Sequence, residues 1–317
     1  MANILASVLN SIYGIVGNYG WAIVIFTLLI KFLLVPLEYK SRKGMKQMER
    51  LQPEMLALQK KYANDKERLN QKTAELYQKA HVNPMSGCLP MIVSMAILFI
   101  MFSAMRQVAN LQMAQQTLNY LADGVFQNED FLWIRNLWMP DSPFSAVLPT
   151  VAQLSVIPME SWAQAYAVLS AEQIAALPAE ITFDFSKEAC AATIEAISAY
   201  MCSMPDYIEA IQTIPQMTNM NVLITKISVY SQSNGWLILP VLSCATQILM
   251  SKITQKKTAQ PSQNTQNQKV MTWMMPLFSL FICIGYNASF ALYWVVSNVF
   301  AIVQTILINR MLDKKTV

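Results

Sequence analysis

A single lysine interrupts an otherwise apolar run, FTLLIKFLLVPL at residues 26–37, and no charged residue precedes Lys31 in the chain. Thr27 lies about one helical turn before it. Burying a charged side chain at the bilayer centre costs roughly 2.5–3.5 kcal/mol on insertion scales, so such residues usually face a bundle interior or a water-filled cavity. Two interpretations remain open: the ammonium reaches the membrane surface along its own stem, or it lies in a hydrated cavity within the membrane.

Polar side chains also share faces in the other apolar segments. The sets are Ser243, Thr246 and Gln247; Thr272 and Ser279; and Ser297 and Gln304, with Asn298 and Thr305 beside them. Such residues commonly join membrane helices by hydrogen bonds, which is the ordinary explanation for any one of them. Several such faces together with one cation indicate instead a shared polar groove. No Asp or Glu lies in these segments, which favours water over an ion pair as the partner of Lys31.

The residue types needed for common catalytic and metal sites are scarce. His81 is the only histidine, and no spacing of His or Cys resembles a metal-ligand set. We therefore expect no cofactor and no enzymatic reaction. Among the five cysteines, Cys190 and Cys202 lie in the same predicted extracytosolic segment, where their spacing allows a disulfide without requiring one.

The composition indicates an all-α membrane protein. Of the 317 residues, 54% are hydrophobic and only 13% are charged, whereas a soluble domain has about 25% charged residues. A membrane-spanning helix needs about 20 apolar residues. On this basis the sequence predicts five transmembrane helices, at residues 19–37, 86–106, 235–251, 271–286 and 289–309.

The distribution of lysine and arginine predicts the orientation of these helices. Residues 38–83 contain eleven basic and six acidic residues, and residues 252–269 contain four lysines and no acid. Residues 109–234 contain three basic and twelve acidic residues. We expect the N-terminus and the segment 107–234 outside the cell, and the cytosol to hold the segments 38–85 and 252–270 and the short tail 310–317.

Three pieces lie outside the predicted spans. Residues 1–18 are amphipathic and too short to span, which indicates an interfacial helix on the outer surface. Residues 38–85 contain two heptad-patterned stretches and predict an antiparallel coiled-coil hairpin, with a capping box at Asn64–Glu67 and a kink or restart at Pro53. Residues 143–233 predict a small, mostly helical domain inserted into the extracytosolic segment, with Ser170 as a helix cap.

Several motifs, taken together, resemble the YidC/Oxa-type membrane protein insertases. They are TLLIKFLLVPL (27–37), MERLQPEMLALQKKY (48–62), NPMSGCLPMI (83–92), FLWIRNLWMPDS (131–142) and LYWVVSNVFAIVQTILINR (292–310). The similarity covers about 1–142 and 235–312 in order. Residues 143–233 have no counterpart in a minimal member of the family.

The resemblance implies a five-helix core with a positively charged groove that is open to the cytosol and to lipid. Small or single-spanning client proteins would enter the bilayer through it. Thr27, Lys31 and Trp294 fall where the family's groove and client-contacting residues lie, and Lys31 replaces the usual arginine. Ser94 stands at a position that is often glutamine. We assign the groove and client binding to Lys31, Thr27, Ser94, Gln247, Trp294, Asn298 and Gln304.

The resemblance also implies partners and a location. Nascent membrane proteins and the lipid bilayer would be direct partners, and the ribosome, signal recognition pathway components and the Sec translocon would be further ones, with no nucleic acid bound directly. The location would be the bacterial cell membrane. Two alternatives stay open: a small transporter or channel with Lys31 as an intramembrane anion site, and a receptor or assembly factor whose external domain does the work.

Overall fold

The computed structural model describes residues 2–81, 89–222, 225–255 and 265–314, and it is mainly helical. The helices in chain order are α1 (Ala2–Val16), α2 (Tyr19–Lys61), α3 (Lys66–Lys79), α4 (Leu89–Asp123), α5 (Val151–Leu154), α6 (Met159–Ala167), α7 (Ala171–Ala176), α8 (Cys190–Met201), α9 (Pro205–Ala210), α10 (Ile238–Gln255), α11 (Thr265–Gly285) and α12 (Ala288–Lys314). One small antiparallel sheet pairs β1 (Met220–Val222) with β2 (Thr225–Ile227), with Met220 opposite Ile227.

Within the described ranges, three helices are long and apolar enough to cross a membrane. They comprise Tyr19–Met48 of α2, Met95–Asp123 of α4 and Ala288–Asp313 of α12. Helices α10 and α11 have shorter apolar stretches, Ile238–Thr254 and Trp273–Gly285. Large apolar side chains cover the outward faces of these helices, among them Leu29, Phe32, Leu33, Phe99 and Phe281. Such surfaces suit contact with lipid, and the prediction of five spans is taken up below.

The long helices form one bundle. Helix α2 packs against α12, α10 packs against both α11 and α12, and α1 lies across α2 and α4. Buried apolar side chains fill the centre, among them Phe26, Met105, Trp138, Phe290 and Trp294. Because lipid tails are as apolar as these side chains, close packing rather than exclusion of water holds such a bundle together.

Helix α2 continues well beyond the length of a membrane span and then turns back into α3, which gives a helical hairpin. Thr73 Oγ1 lies 3.7 Å from Met55 Sδ across its two arms. The helix passes through Pro53 without a break, so the chain does not restart at this residue, and the alternative of a kink stays a prediction. Coiled-coil packing of the arms stays a prediction.

The cap of α3 differs from the predicted capping box. Asp65 is the N-cap, and its carboxylate accepts a hydrogen bond from the Arg68 backbone N–H at 3.0 Å. The helix therefore begins one residue later than a cap at Asn64 would require, and Glu67 falls at the second helical position, where it cannot close the box.

Helix α4 continues past residue 106, the predicted end of the second span, and reaches Asp123. Its last turns form part of a second core, in which Leu118 packs with Trp162, Ile197 and Met201 from the inserted segment. That segment contains the short helices α5–α9, and Ser170 caps α7 as predicted, since its hydroxyl accepts the Gln173 N–H at 3.1 Å. The small sheet was not predicted.

The spacing of Cys190 and Cys202 allows a disulfide, but the structure shows none, and both thiols are free. Cys190 begins α8 and Cys202 caps its other end. Twelve residues of helix separate them by about 18 Å at 1.5 Å per residue, whereas bridged cysteines have Cα atoms about 4.4–6.8 Å apart. Cys190 is buried in the second core, and this burial raises the pKa of its thiol.

Two buried polar residues tie the loop after α4 to the loop before α10. The Asn234 side chain donates to the carbonyls of Asn136, Met139 and Pro140 at 2.8–3.0 Å and accepts the Asn136 N–H at 2.7 Å. Asp141, which is fully buried, accepts three N–H groups: the Trp133 indole at 3.2 Å, Trp236 N at 2.8 Å and Leu239 N at 2.7 Å. The bonds from Trp236 and Leu239 also satisfy the start of α10.

The start of α2 is held in a similar way. Glu129 Oε1 accepts the Tyr19 N–H at 2.7 Å, and the Asn18 side chain donates to the Asp130 carbonyl at 3.0 Å. Burial raises the pKa of the Glu129 carboxyl, and the bond from Tyr19 partly opposes this shift. Loop residues 129–141 thus fix where both α2 and α10 begin.

We expect the substitution Asp141→Ala to destabilise the protein markedly, because it leaves three buried N–H groups without an acceptor, each worth about 1–3 kcal/mol. One kcal/mol shifts the unfolding temperature by about 2–4 °C in a chain of 150–250 residues. The thermal unfolding midpoint in detergent should therefore fall by several degrees. Asp184→Ala is the matched control, because Asp184 is exposed and its carboxylate accepts the Ser186 backbone N–H at 2.8 Å. Equal midpoints for the two variants would contradict the role given to Asp141.

Candidate functional site

Lys31 lies on the face of α2 that turns towards the bundle, and its side chain is half-buried. Among the described residues it makes no hydrogen bond and no ion pair within 4.0 Å. The opposite charge that acts on it is Glu38, which lies seven residues further along α2, or about 10 Å of helix rise. The cation is thus partly enclosed without a direct counter-charge.

The face of α2 that holds Lys31 continues as a row of charged side chains. Glu38, Arg42 and Lys46 follow at steps of seven, four and four residues, all half-buried and all close to the same side of the helix. The row therefore has three cations and one carboxylate. It runs from the interior of the apolar segment to the base of the helical hairpin.

Helix α12 contacts the end of this row that is farther from Lys31. The Arg42 guanidinium donates to Thr305 Oγ1 at 2.5 Å, and the Lys46 ammonium pairs with Asp313. Sequence reasoning did not single out Arg42 or Lys46, because both lie in a basic loop that was counted only for orientation. Their spacing from Lys31 at multiples of a helical turn is the signal that identifies them.

Thr27 occupies a different environment from the one predicted for a client-contacting residue. Its side chain is fully buried, and its hydroxyl donates to the Ile23 carbonyl at 2.6 Å within the same helix. Trp294 is also buried and stacks edge-on against Phe290, with ring centroids 5.5 Å apart. Both residues line the packed interior beside α2 and α12, and neither presents an open surface.

The polar residues of α10, α11 and α12 divide into two groups. Asn298 joins the helices, because its amide donates to Thr246 Oγ1 at 3.2 Å. Ser243 and Ser279 are buried and donate to carbonyls of their own helices, those of Pro240 and Pro276, at 2.7 and 2.8 Å. For these hydroxyls the ordinary explanation, local satisfaction within a membrane helix, is the one that the structure supports.

Gln304 is the polar residue with the most unusual surroundings. Only 5% of it is exposed, and neither its amide oxygen nor its amide nitrogen has a hydrogen-bond partner among the described residues. Gln247 on α10 is half-buried. The side chains of Ser94 and Thr272 lie outside the described side chains, so their predicted places in a groove stay predictions.

The arrangement suits electrostatic binding more than covalent chemistry. Within the described parts of the chain, no group of three or more His, Cys, Asp or Glu side chains could hold a metal ion. What the bundle presents is a partly enclosed cation with a row of basic side chains leading to it. A polar or acidic segment of another molecule is the natural partner for such a surface.

Comparison with known proteins gives a consistent result. The chain matches the family described as 60Kd inner membrane protein over residues 11–194 and 204–315. It is 51% identical over 102 residues to the protein named Membrane protein insertase YidC of Fusobacterium nucleatum subsp. nucleatum, an alignment that covers 32% of this chain and 50% of that protein. The proteins of the same name from Clostridium perfringens and Pelobacter propionicus are 37% identical to this chain over 141 residues and 33% identical over 195 residues, respectively.

These alignments cover 44% and 58% of this chain, and 52% and 33% of the two relatives. The chain thus spans about half, or less, of the length of the curated relatives that it matches. The family match, by contrast, extends over most of the chain and includes the row of charged residues on α2. The chain therefore belongs to the 60Kd inner membrane protein family, the YidC/Oxa-type family that its motifs resemble.

Proposed function

We propose that this chain is a membrane protein insertase that passes client segments into the bilayer along the face of α2 that bears Lys31. The observation that carries the proposal is the half-buried ammonium, which has no direct partner among the described residues and lies at the end of a basic row. The names of the relatives support it, since they are called membrane protein insertases.

The mechanism follows from the cost of an unpaired charge in an apolar medium. An ammonium without a counter-ion requires water or a polar ligand, so Lys31 holds water within the membrane. The hydrated face lowers the cost of bringing the polar flank of a client across the apolar layer. An acidic flank gains further from attraction to Lys31, and from the membrane potential by about 2.3 kcal/mol per charge per 100 mV.

The driving force is the transfer of the client's apolar helix into lipid. Removing apolar surface from water is worth about 25 cal/mol per Å², so a helix of membrane length supplies ample free energy without a nucleotide or a redox step. Arg42 and Lys46 form the cytosolic entrance in this mechanism. Thr27 and Trp294 act as packing residues that hold α2 and α12 in place, in keeping with their burial.

The proposal includes the topology that the sequence predicts. Helices α10 and α11 are the third and fourth of five spans, with the N-terminus outside and the C-terminus and the helical hairpin in the cytosol. The basic residues of the 38–83 and 252–269 loops support this orientation. Nascent membrane proteins and lipid are then the direct partners, and contacts with the ribosome, the signal recognition pathway and the Sec translocon are an extension implied by the family resemblance.

A transporter or channel would need a polar path through both leaflets. Between Lys31 and the start of α2, the buried side chains are those of Tyr19, Ala22, Ile23, Phe26 and Thr27, and the Thr27 hydroxyl is bonded to its own helix. Because these side chains are largely apolar, they favour a groove that is closed on the outer side and argue against a continuous polar path.

We expect charge at position 31 to control insertion of clients with an acidic translocated flank. In proteoliposomes, Lys31→Arg should retain insertion, Lys31→Ala should lower it roughly tenfold, equivalent to ~1.4 kcal/mol, and Lys31→Glu should lower it further. A client with a basic flank should lose less with Lys31→Glu. The exposed Lys187→Glu is the matched control and should behave as wild type. Normal insertion of the acidic client by Lys31→Glu would refute the mechanism.

We also expect insertion to survive removal of most of the inserted segment. Its ends meet, because Ala146 pairs with Ser233 and Asn234 N donates to the Ser145 carbonyl at 2.9 Å, so a short Gly–Ser linker can replace residues 148–231. The same proteoliposome assay should show activity within about twofold of wild type, because the Lys31 face is untouched.

The deletion uncovers apolar side chains of α4, so a second version should also contain Leu118→Gln and Leu121→Gln to prevent aggregation. A folded, monodisperse deletion variant that inserts nothing would show instead that the external segment performs the function.

A further inference from the structure

Two turns project from the end of the bundle at which α2 and α10 begin. The first is closed by reciprocal backbone hydrogen bonds of 2.9 Å between Phe131 and Ile134, and it places Leu132 and Trp133 at its tip. The second, Trp236–Leu239, leads into α10. The buried Asp141 carboxylate holds both, because it accepts the Trp133 indole N–H and the backbone N–H groups of the second turn.

Both turns place a leucine where the backbone disfavours one. Leu132 has φ +56° and Leu237 has φ +63°, in the left-handed region where a Cβ is crowded. Turns of this kind usually have Gly or Asn at such a position, as at Asn219 of this chain, where φ is +53°. At Leu132 this backbone places an apolar side chain at the exposed tip of the first turn, whereas Leu237 is half-buried.

The tips of the turns are apolar and open. Leu132 and Trp236 are each 71% exposed, and the nearby Trp21 is 53% exposed. Phe131 contacts Trp21 edge-on, with ring centroids 5.5 Å apart. A Cβ at Gly20 would collide with the Phe131 ring, so only glycine lets the turn lie this close to the first turn of α2. The exposed apolar tips are thus level with the beginning of the apolar part of α2.

We propose that Leu132, Trp236 and Trp21 form an anchor that enters the phospholipid leaflet at this end of the bundle. The occupant is lipid because the three side chains are continuous with the outward, lipid-suited faces of α2 and α10, and because residues 131–134 and 236–239 contain no charge. Tryptophan suits the boundary between head groups and acyl chains. If the orientation proposed above holds, the anchor enters the outer leaflet. Only the choice of leaflet depends on that orientation, and the anchor itself does not.

The anchor has a consequence for Lys31. Ten residues of helix separate Trp21 from Lys31, a rise of about 15 Å, which is half of a hydrocarbon core of about 30 Å. With Trp21 fixed at one boundary, Lys31 is placed near the middle of the bilayer. The anchor therefore determines how deep Lys31 lies in the bilayer, and the hydrogen bonds of Asp141 hold the two turns of the anchor in place.

Depth measurements in lipid nanodiscs test the anchor without any client. Leu132→Cys and Trp236→Cys, each made in a Cys202→Ser background, are labelled with an environment-sensitive fluorophore and quenched by nitroxide lipids or by aqueous iodide. Val168→Cys is the matched control, because Val168 is 66% exposed but lies in the inserted segment. We expect nitroxide lipids to quench the labels at 132 and 236 at least threefold more than the label at 168, with iodide giving the reverse order.

A second measurement uses the unmodified protein, in case a cysteine variant fails to fold. A phospholipid with a photoreactive group near its head is cross-linked, and the adducts are mapped by mass spectrometry. Adducts on the peptides with Leu132 and Trp236, and none on that with Val168, are expected. Iodide quenching at 132 equal to that at 168, or the absence of lipid adducts from both turns, would overturn the anchor and leave the insertase proposal standing. Protection from iodide without lipid adducts would assign the surface to a protein partner and also reject the anchor.

Discussion

An ammonium cannot remain unpaired in a dry apolar medium, and this constraint organises the bundle around Lys31. Moving an ion out of water costs several kcal/mol even after relaxation. No carboxylate lies among the described groups close enough to form an ion pair with Lys31, and Glu38 acts on it only from a distance. Water is the ligand that we propose for Lys31, and in the proposed mechanism a polar client segment moves along this hydrated face of α2.

Several other polar groups of the bundle have hydrogen-bond partners, whereas Lys31 has none among the described residues. Thr27, Ser243 and Ser279 satisfy their hydroxyls on their own helices, and Asn298 bonds to Thr246. The basic row continues instead towards the helical hairpin through Arg42, which reaches α12 at Thr305. The row of basic side chains thus leads towards one end of the bundle, while the other end is closed by aromatic and aliphatic side chains and fastened by Asp141, Asn234 and Glu129.

Sequence alone predicted the long apolar helices, because hydrophobic runs and charge blocks are local signals. It also identified Lys31 by its isolation and Ser170 by its capping pattern. Burial depends on tertiary packing, so Thr27 and Trp294 were expected at a client surface and lie inside. The spacing of Cys190 and Cys202 allows a disulfide without requiring one, and the helix that keeps them apart is visible only in the structure. The role of Asp141 depends on contacts between segments distant in the chain, for which the sequence has no local signal. The place of Arg42 on the Lys31 face can be read from its spacing along α2, but its contact with Thr305 cannot.

Water at position 31 is the central claim, and thiol reactivity tests it directly. In oriented membrane vesicles, Lys31→Cys would be exposed to a membrane-impermeant, charged methanethiosulfonate from the cytosolic side. We predict that it reacts at least tenfold faster than Leu29→Cys, whose side chain is 54% exposed on the outward, lipid-suited face of α2, and that reagent on the outer side leaves it unmodified. Equal, slow reaction at positions 29 and 31 would show that no hydrated groove surrounds Lys31.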